Sequence, residues 1–404
     1  MKVLLVSLSN IGGGASKIVS NLNSELLNRG IDSELMIFEG VSSEKTTILN
    51  ELKSFLFMFR LKNYIVKLIF YFFTNRSKDY RSINIFSSSL LKRINSSEAD
   101  IVHLHWIGAE MISIKQISQI NKKVIWTLHD AWPLNGSYHI SPRDYDNSIS
   151  LLDSYKPDVS GFLERKTLNR KKKYLSEKNI SFTAPSNWLL KKYNSSFYNK
   201  KKSSCRVIPN FIDLSIWKPL DKKIARKELN INTSKKLLIF GSSNANTSFN
   251  KGFHNLKKLL NELSHEKYAL IIFGNDNEEN IFEDKFESYN FGRINSTSKM
   301  RIIYSAGDIT VVPSLSESFS LVSLESIACD TPVLAFKSSG IPDIVKHKQN
   351  GFLSKRFNID SLKEGVHWLT KNKLTNISKS ISCFSKLKVV KQFEELYLKE
   401  FMNI

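Results

Sequence analysis

A chain of 404 residues carries 59 Lys and Arg against 38 Asp and Glu, a formal charge of +21. That length exceeds one compact core and predicts about two domains, while apolar and charged fractions of 41% and 24% exclude a disordered or fibrous chain. Cys205, Cys329 and Cys383 form no CxxC pair, which excludes a cysteine metal knuckle and a disulfide framework and fits a reducing compartment.

Val3-Leu4-Leu5-Val6-Ser7-Leu8 reads as a first strand, too short for a secretory signal, so the expected location is cytoplasmic. It runs into Gly12-Gly13-Gly14, where backbone can approach a ligand closely or simply turn into a helix. That helix carries Ile18, Leu22 and Leu26 and stops at Arg29-Gly30. Leu35–Phe38 is the second strand. Residues 55–73 are nearly all apolar, but Arg60, Lys62 and Lys67 interrupt them, so they make a poor membrane span. On a helix Arg60, Asn63 and Lys67 share a face, as in a helix lying in a membrane interface. A core helix or a flap over a substrate site fits the same pattern.

Strands follow at Ile101–Leu104, Val124–Thr127 and Ile180–Thr183. Residues 165–202 hold twelve Lys and Arg against the single acid Glu177. Such a surface attracts nucleic acid, an anionic leaflet or a phosphorylated substrate, unless it is a plain solvated face. Residues 207–219 contain Pro209 and Pro219 and read as a linker between domains 1–206 and 220–387. The alternation then restarts at Leu237–Gly241, Ala269–Gly274, Ile309–Val312 and Pro332–Ala335. Strands separated by helices imply parallel sheets covered on both faces. The last helix, 388–404, is a candidate to pack back on the first domain.

The strongest constellation is Glu317-Ser318-Phe319-Ser320-Leu321-Val322-Ser323-Leu324-Glu325. It follows a strand and the turn Pro313-Ser314, so a helix is predicted to start about Ser318. The N–H groups of Phe319, Ser320 and Leu321 would then be the orphan donors of its first turn, an anion site suited to a diphosphate. An acidic residue there is also simply stabilising. Glu325 is placed to accept hydrogen bonds from sugar hydroxyls.

With Thr331-Pro332-Val333 following, this segment resembles the E-x7-E signature of the retaining glycosyltransferases of family 4, whose fold is called GT-B. The resemblance extends through Gly12–Gly14, Thr127-Leu128-His129-Asp130 and Ala184-Pro185-Ser186-Asn187-Trp188. It continues through Val207–Asp213, Asn250-Lys251-Gly252 and Gly340–Val345. The stretch Asp130-Ala131-Trp132-Pro133 resembles bacterial members that build capsular, colanic-acid or O-antigen polysaccharides. The family implies an α/β fold of two Rossmann-like domains facing each other across a cleft, an acceptor-binding first and a donor-binding second. It implies that Glu317 contacts the donor sugar, Glu325 the ribose, Lys251 the diphosphate, and that His129 lies near the reacting sugar. For a lone histidine, an imidazole bonded within its own Asp130-Ala131-Trp132-Pro133 turn is the better reading of His129. Phe319, Ser320, Leu321, Gly241 and Ser242 would complete the donor site, with Gly12, Gly13 and Gly14 near the acceptor or the phosphates.

The implied partners are a UDP- or GDP-sugar and an oligosaccharide acceptor, lipid-linked and held at the inner membrane surface through 55–73 and 165–202. No cofactor, metal or nucleic acid is implied. Three departures stand out: Ser242-Ser243 replace a usual basic residue, Ser320 a usual glycine, and residues 136–160 lack the cysteines common after this stretch. Gly12-x-Gly14-x-x-Lys17 lacks the third glycine of a dinucleotide fingerprint, which argues against a nicotinamide oxidoreductase. Asp144-Tyr145-Asp146 matches the short DxD of metal-dependent transferases, but it lies in a polar loop and receives no metal. The remaining alternative is a basic nucleic-acid- or membrane-binding protein on a non-catalytic fold, although no nucleic-acid motif is present.

Overall fold

Short runs of Val, Ile and Leu buried on both sides fix the architecture. The computed structural model describes residues 1–43, 45–49, 53–73, 80–141, 161–200, 202–241, 249–274 and 285–403. Asp144-Tyr145-Asp146 and Ser242 lie outside them. The chain divides into two compact units, Met1–Pro209 with Val389–Ile404, and Asn210–Lys388.

The first unit is built on a seven-stranded sheet. Its strands are β1 (Lys2–Ser9), β2 (Asp32–Glu39), β3 (Thr46–Ile48), β4 (Ile101–Leu104), β5 (Lys123–Thr127), β6 (Ile180–Ala184) and β7 (Ser204–Val207). The order is β3-β2-β1-β4-β5-β6-β7 and every pairing is parallel. Val207, expected to open the linker, instead pairs with Ala184 at the end of β7. The order reverses between β1 and β4, the switch point of a doubly wound sheet, where ligands bind beyond the strands' carboxyl ends.

The second unit carries β8 (Lys236–Gly241), β9 (Tyr268–Phe273), β10 (Ser288–Asn290), β11 (Ile309–Val312), β12 (Val333–Phe336) and β13 (Gly351–Ser354). Their order, β10-β9-β8-β11-β12-β13, is again all parallel, with its switch point between β8 and β11. Along β8, Leu237 and Ile239 enter one core cluster while Leu238 and Phe240 enter another on the opposite face. Successive residues of a strand point to opposite faces, so a sheet covered on both sides needs this unbroken apolar run. Both units are Rossmann-like, and the fold is GT-B.

The helix Lys386–Phe401 packs on the first unit from Val389 onward. Arg29 bonds Glu394 at 3.2 Å, Lys123 pairs with Glu400 at 2.6 Å, and Ser181 Oγ donates to Glu400 at 2.7 Å. Deep in the sheet, His103 Nδ1 lies 2.7 Å from the Tyr397 hydroxyl and its Nε2 lies 2.7 Å from Thr127 Oγ1, which meets Thr183 Oγ1 at 2.7 Å. This polar chain satisfies groups that would be costly to bury alone.

Residues 53–73 do form one helix, Lys53–Phe73. Phe59 stacks on Phe38 at 3.8 Å, and Asn63 Nδ2 donates to the Ala109 carbonyl, so Asn63 lies on the packed side rather than with Arg60 and Lys67. The outer side is apolar: Phe57, Met58, Leu61, Tyr64, Leu68, Tyr71, Phe72 and Phe73 are all exposed. No described helix is long and apolar enough to cross a membrane.

The basic run 165–202 is not wholly a surface. Lys171 is fully buried, its ammonium 3.9 Å over the Trp132 ring and donating to the carbonyls of Trp132, Asn135 and Gly136. Arg170 donates to Ile83 and Asn84 carbonyls at 3.0 Å. Both side chains staple loops, because unpaired buried carbonyls need donors. Arg165, Lys166, Lys172 and Lys173 on the helix Phe162–Leu175 are exposed.

Candidate active site

In the second unit the site begins with a glycine. Gly252 has φ +70°, and a Cβ there would stand 1.8 Å from the Pro313 carbonyl oxygen, so only glycine lets the two loops touch. Around it, Leu315 N–H donates to the Asn250 carbonyl (2.9 Å), Asn250 Nδ2 to Ser316 O (2.8 Å) and Asn255 Nδ2 to Pro313 O (3.2 Å). These bonds clamp the turn after β8 onto the loop after β11. They bring Lys251 Nζ to 2.9 Å from Glu317 Oε1, an ion pair between residues 66 positions apart.

A third segment closes the arrangement. Glu317 N–H donates to Ser339 Oγ at 2.7 Å, and Gly340 N–H donates to the Glu317 carbonyl at 2.8 Å. A Cβ on Gly340 would approach Ser318 O to 2.4 Å. Thus the Asn250-Lys251-Gly252, Glu317–Ser320 and Gly340–Val345 segments, separate in sequence, meet at the carboxyl end of β11. Sequence reasoning did not foresee Asn250, Ser339 or Gly340 as its supports; asparagine before Lys-Gly and a Ser-Gly pair after β12 were the available signals.

The helix begins at Leu321, three residues later than predicted, and runs to Ala328. Ser320 is the reason: its side chain accepts the Ser323 N–H at 3.3 Å and caps the first turn. The donors left without an intrahelical acceptor are those of Ser320, Leu321 and Val322, not Phe319. Phe319 is buried with its ring edge-on to Phe384 at 5.6 Å. Glu325 is also buried and accepts from the Tyr304 hydroxyl at 3.2 Å. Gly241 ends β8, where a Cβ would meet the Phe273 ring at 1.9 Å.

In the first unit the loops after β1, β4 and β5 hold a separate group of candidate residues. Leu8 N–H donates to Trp106 O at 2.8 Å, tying the glycine loop's approach to the segment after β4. Gly12 has φ +93°, Gly13 caps the helix Gly14–Asn28 without a side-chain acceptor, and a Cβ on either would meet nothing within 4 Å. Two residues beyond β5, His129 Nε2 lies 2.8 Å from His105 Nδ1. His105 Nε2 is buried without a partner. A bare lone pair is cheaper to bury there than an N–H, so His105 carries its proton on Nδ1 and donates it. His129 then keeps its own proton on Nδ1. Burial lowers the His129 pKa to about 4 against an opposing Asp130 charge, and lowers His103 to about 3. Near neutral pH His129 is therefore an uncharged hydrogen-bond donor.

The next residue is the hub of the turn. Asp130 accepts from Trp106 Nε1 (2.7 Å), His139 Nδ1 (2.6 Å) and Trp132 N (2.9 Å). Burial opposes its ionisation, yet His139 and these bonds hold its carboxyl below the usual range. His105, Trp106, His129, Asp130, Pro133 and His139 line one pocket.

Comparison with known proteins decides the family. A model described as Glycosyltransferase Family 4 matches residues 12–216, and one described as Glycosyl transferases group 1 matches 221–382. The chain belongs to glycosyltransferase family 4. A D-inositol 3-phosphate glycosyltransferase of Segniliparus rotundus is 27% identical over 171 residues, 39% of this chain and 37% of that one. The matches to the first curated relatives span less than half of each relative's length. Among solved structures, sucrose-phosphate synthase from Thermosynechococcus elongatus aligns with a TM-score of 0.72 at 16% identity, covering 100% of both chains. Anabaena HepE in complex with UDP and glucose aligns at 0.66 with 17% identity, covering 98% and 99%. At such identities these likenesses speak for the fold of this family-4 chain.

Proposed function

We propose that this family-4 chain moves a sugar from a UDP- or GDP-sugar, held by the second unit, to an oligosaccharide acceptor held by the first, with retention of configuration and without a metal. The observation that carries the reading is the Lys251–Glu317 pair beside the capped N-terminus of Leu321–Ala328. Lys251 and the free N–H groups of Ser320, Leu321 and Val322 face the negative charge that grows on the diphosphate as its bond to the sugar breaks. Glu317 takes the sugar hydroxyls and Glu325 the ribose. The new bond forms between the sugar's anomeric carbon and the acceptor oxygen, and the acceptor's proton passes to a leaving phosphate oxygen. His129 borders the reacting sugar as a neutral donor, and Gly12–Gly14 border the acceptor. That a fold relative holds UDP and glucose favours a uridine donor. Release of a nucleoside diphosphate from one member of a sugar-nucleotide panel, in the presence of EDTA, tests the reading.

The acceptor is lipid-linked and met at an anionic membrane surface, the inner leaflet, in surface polysaccharide synthesis. The exposed stripe of helix Lys53–Phe73 supports this, because contiguous apolar surface rimmed by cations suits a bilayer interface. At its end Phe73 stacks on Phe162 at 5.7 Å, leading onto the helix with Arg165, Lys166, Lys172 and Lys173. Flotation with phosphatidylglycerol vesicles is expected to carry the wild-type chain. Phosphatidylcholine vesicles carry less, and Leu61→Glu with Leu68→Glu at least tenfold less. Equal flotation of that double variant would end the membrane reading.

A further inference from the structure

One solvent-facing aromatic pair beside His129 is not used by the donor chemistry. His139 is sandwiched between Trp106 (ring centroids 5.1 Å apart, 26° between planes) and Trp132 (5.9 Å, 13°). Tyr80 packs against the side of this column, 5.5 Å from Trp106 and edge-on to His139 at 4.8 Å, and is 56% exposed. Trp106 is partly exposed, and its indole N–H is locked onto Asp130, so its ring cannot rotate without breaking a charged hydrogen bond. A single exposed aromatic is ordinary. Here Trp106, a ring of fixed orientation, lines a pocket that also holds an ionised carboxylate and the neutral His129, and the exposed Tyr80 ring packs beside it.

We infer that Tyr80 and Trp106 form the stacking platform for a neutral pyranose ring of the acceptor, with Asp130 and His129 beside it for the sugar's hydroxyls. An aromatic face carries the negative end of its quadrupole and attracts the weakly positive C–H face of a pyranose. The lining residues of the pocket include the Asp130 carboxylate and no Lys or Arg, so a phosphate-bearing acceptor would meet like charge with no Lys or Arg to pair with it. The acceptor class is thus an uncharged sugar rather than a phosphorylated polyol. This rests on the assignment of the first unit to the acceptor.

The test is saturation-transfer NMR on the full chain with methyl β-D-galactopyranoside and methyl α-D-mannopyranoside. D-myo-inositol 3-phosphate serves as the anionic probe, and UDP and GDP are present in the same sample. Wild type and Tyr80→Phe are expected to saturate the ring C–H signals of at least one pyranoside. Tyr80→Ala loses that signal at least tenfold, and the inositol phosphate shows none. No pyranoside signal in wild type, an equal signal in Tyr80→Ala, or preference for the inositol phosphate overturns the platform. The nucleotide signals report separately: their absence in wild type counts against the donor reading, while the pyranoside signals alone decide the platform.

Discussion

Replacing Lys251 with alanine is expected to lower the transfer rate about 10²- to 10³-fold, the usual cost of losing one preorganised charge from a leaving group. Glu317→Ala is expected to fall by a similar factor for a different reason. In the unliganded chain the two side chains neutralise each other at 2.9 Å, so each variant also releases its partner. Glu317→Ala leaves an unpaired ammonium facing the diphosphate. Its affinity for the nucleoside diphosphate should therefore hold or rise while kcat collapses. Lys251→Ala leaves an unpaired carboxylate, which repels the diphosphate, so binding and kcat fall together. The double variant should lose less than the product of the two single losses, because residues in contact are not additive. Steady-state kinetics with nucleotide titrations separate these outcomes. Strictly multiplicative losses, or full activity in both single variants, would remove the pair from the mechanism.

The second large effect is on stability below neutral pH. His103 is fully buried and accepts or donates to Tyr397 and Thr127, and burial lowers its pKa from 6.5 to about 3. His105 and His129 are shifted the same way. Between the folded and unfolded values the unfolded chain binds more protons, so stability rises with pH there and is lost as pH falls below 6.5. At pH 5 His103 alone is expected to remove about 2 kcal/mol relative to pH above 7.5. Carboxylates whose folded values are lowered, such as Asp308 beside Lys222 and Arg226, lose their contribution in a separate window below pH 4. Denaturant unfolding at pH 7.5 and 5.0 measures the loss, and His103→Gln, which cannot titrate, should flatten the slope. Parallel slopes in wild type and His103→Gln would contradict this account.

What the sequence discloses follows the physics of each element. The nine interior strands, β1, β2, β4, β5, β6, β8, β9, β11 and β12, are all legible, most of them as the apolar run that burial on both faces demands. The strands it conceals, β3, β7, β10 and β13, are the four edges of the two sheets. An edge has one neighbour and one flank open, so runs such as Ser288–Asn290 need no apolar signature. The Leu321 helix start was obscured because Ser318 and Ser320 are both good caps, and only tertiary packing of Phe319 selects the second. Lys171 is hidden for the opposite reason: within four consecutive basic residues nothing marks the one that turns inward to three carbonyls. The Glu317–Glu325 spacing was visible, but its ion pair with Lys251 depends on Gly252 reaching Pro313, a contact across 61 residues that no local pattern encodes.

We propose retaining transfer from a donor held at Lys251 and Glu317. Its most direct test is NMR of the anomeric product when the purified chain is incubated with a sugar-nucleotide panel and a methyl pyranoside acceptor. One donor is expected to be consumed, its nucleoside diphosphate released and the new glycoside formed with the donor's own anomeric configuration. An inverted product, or no turnover of any sugar nucleotide, would contradict it.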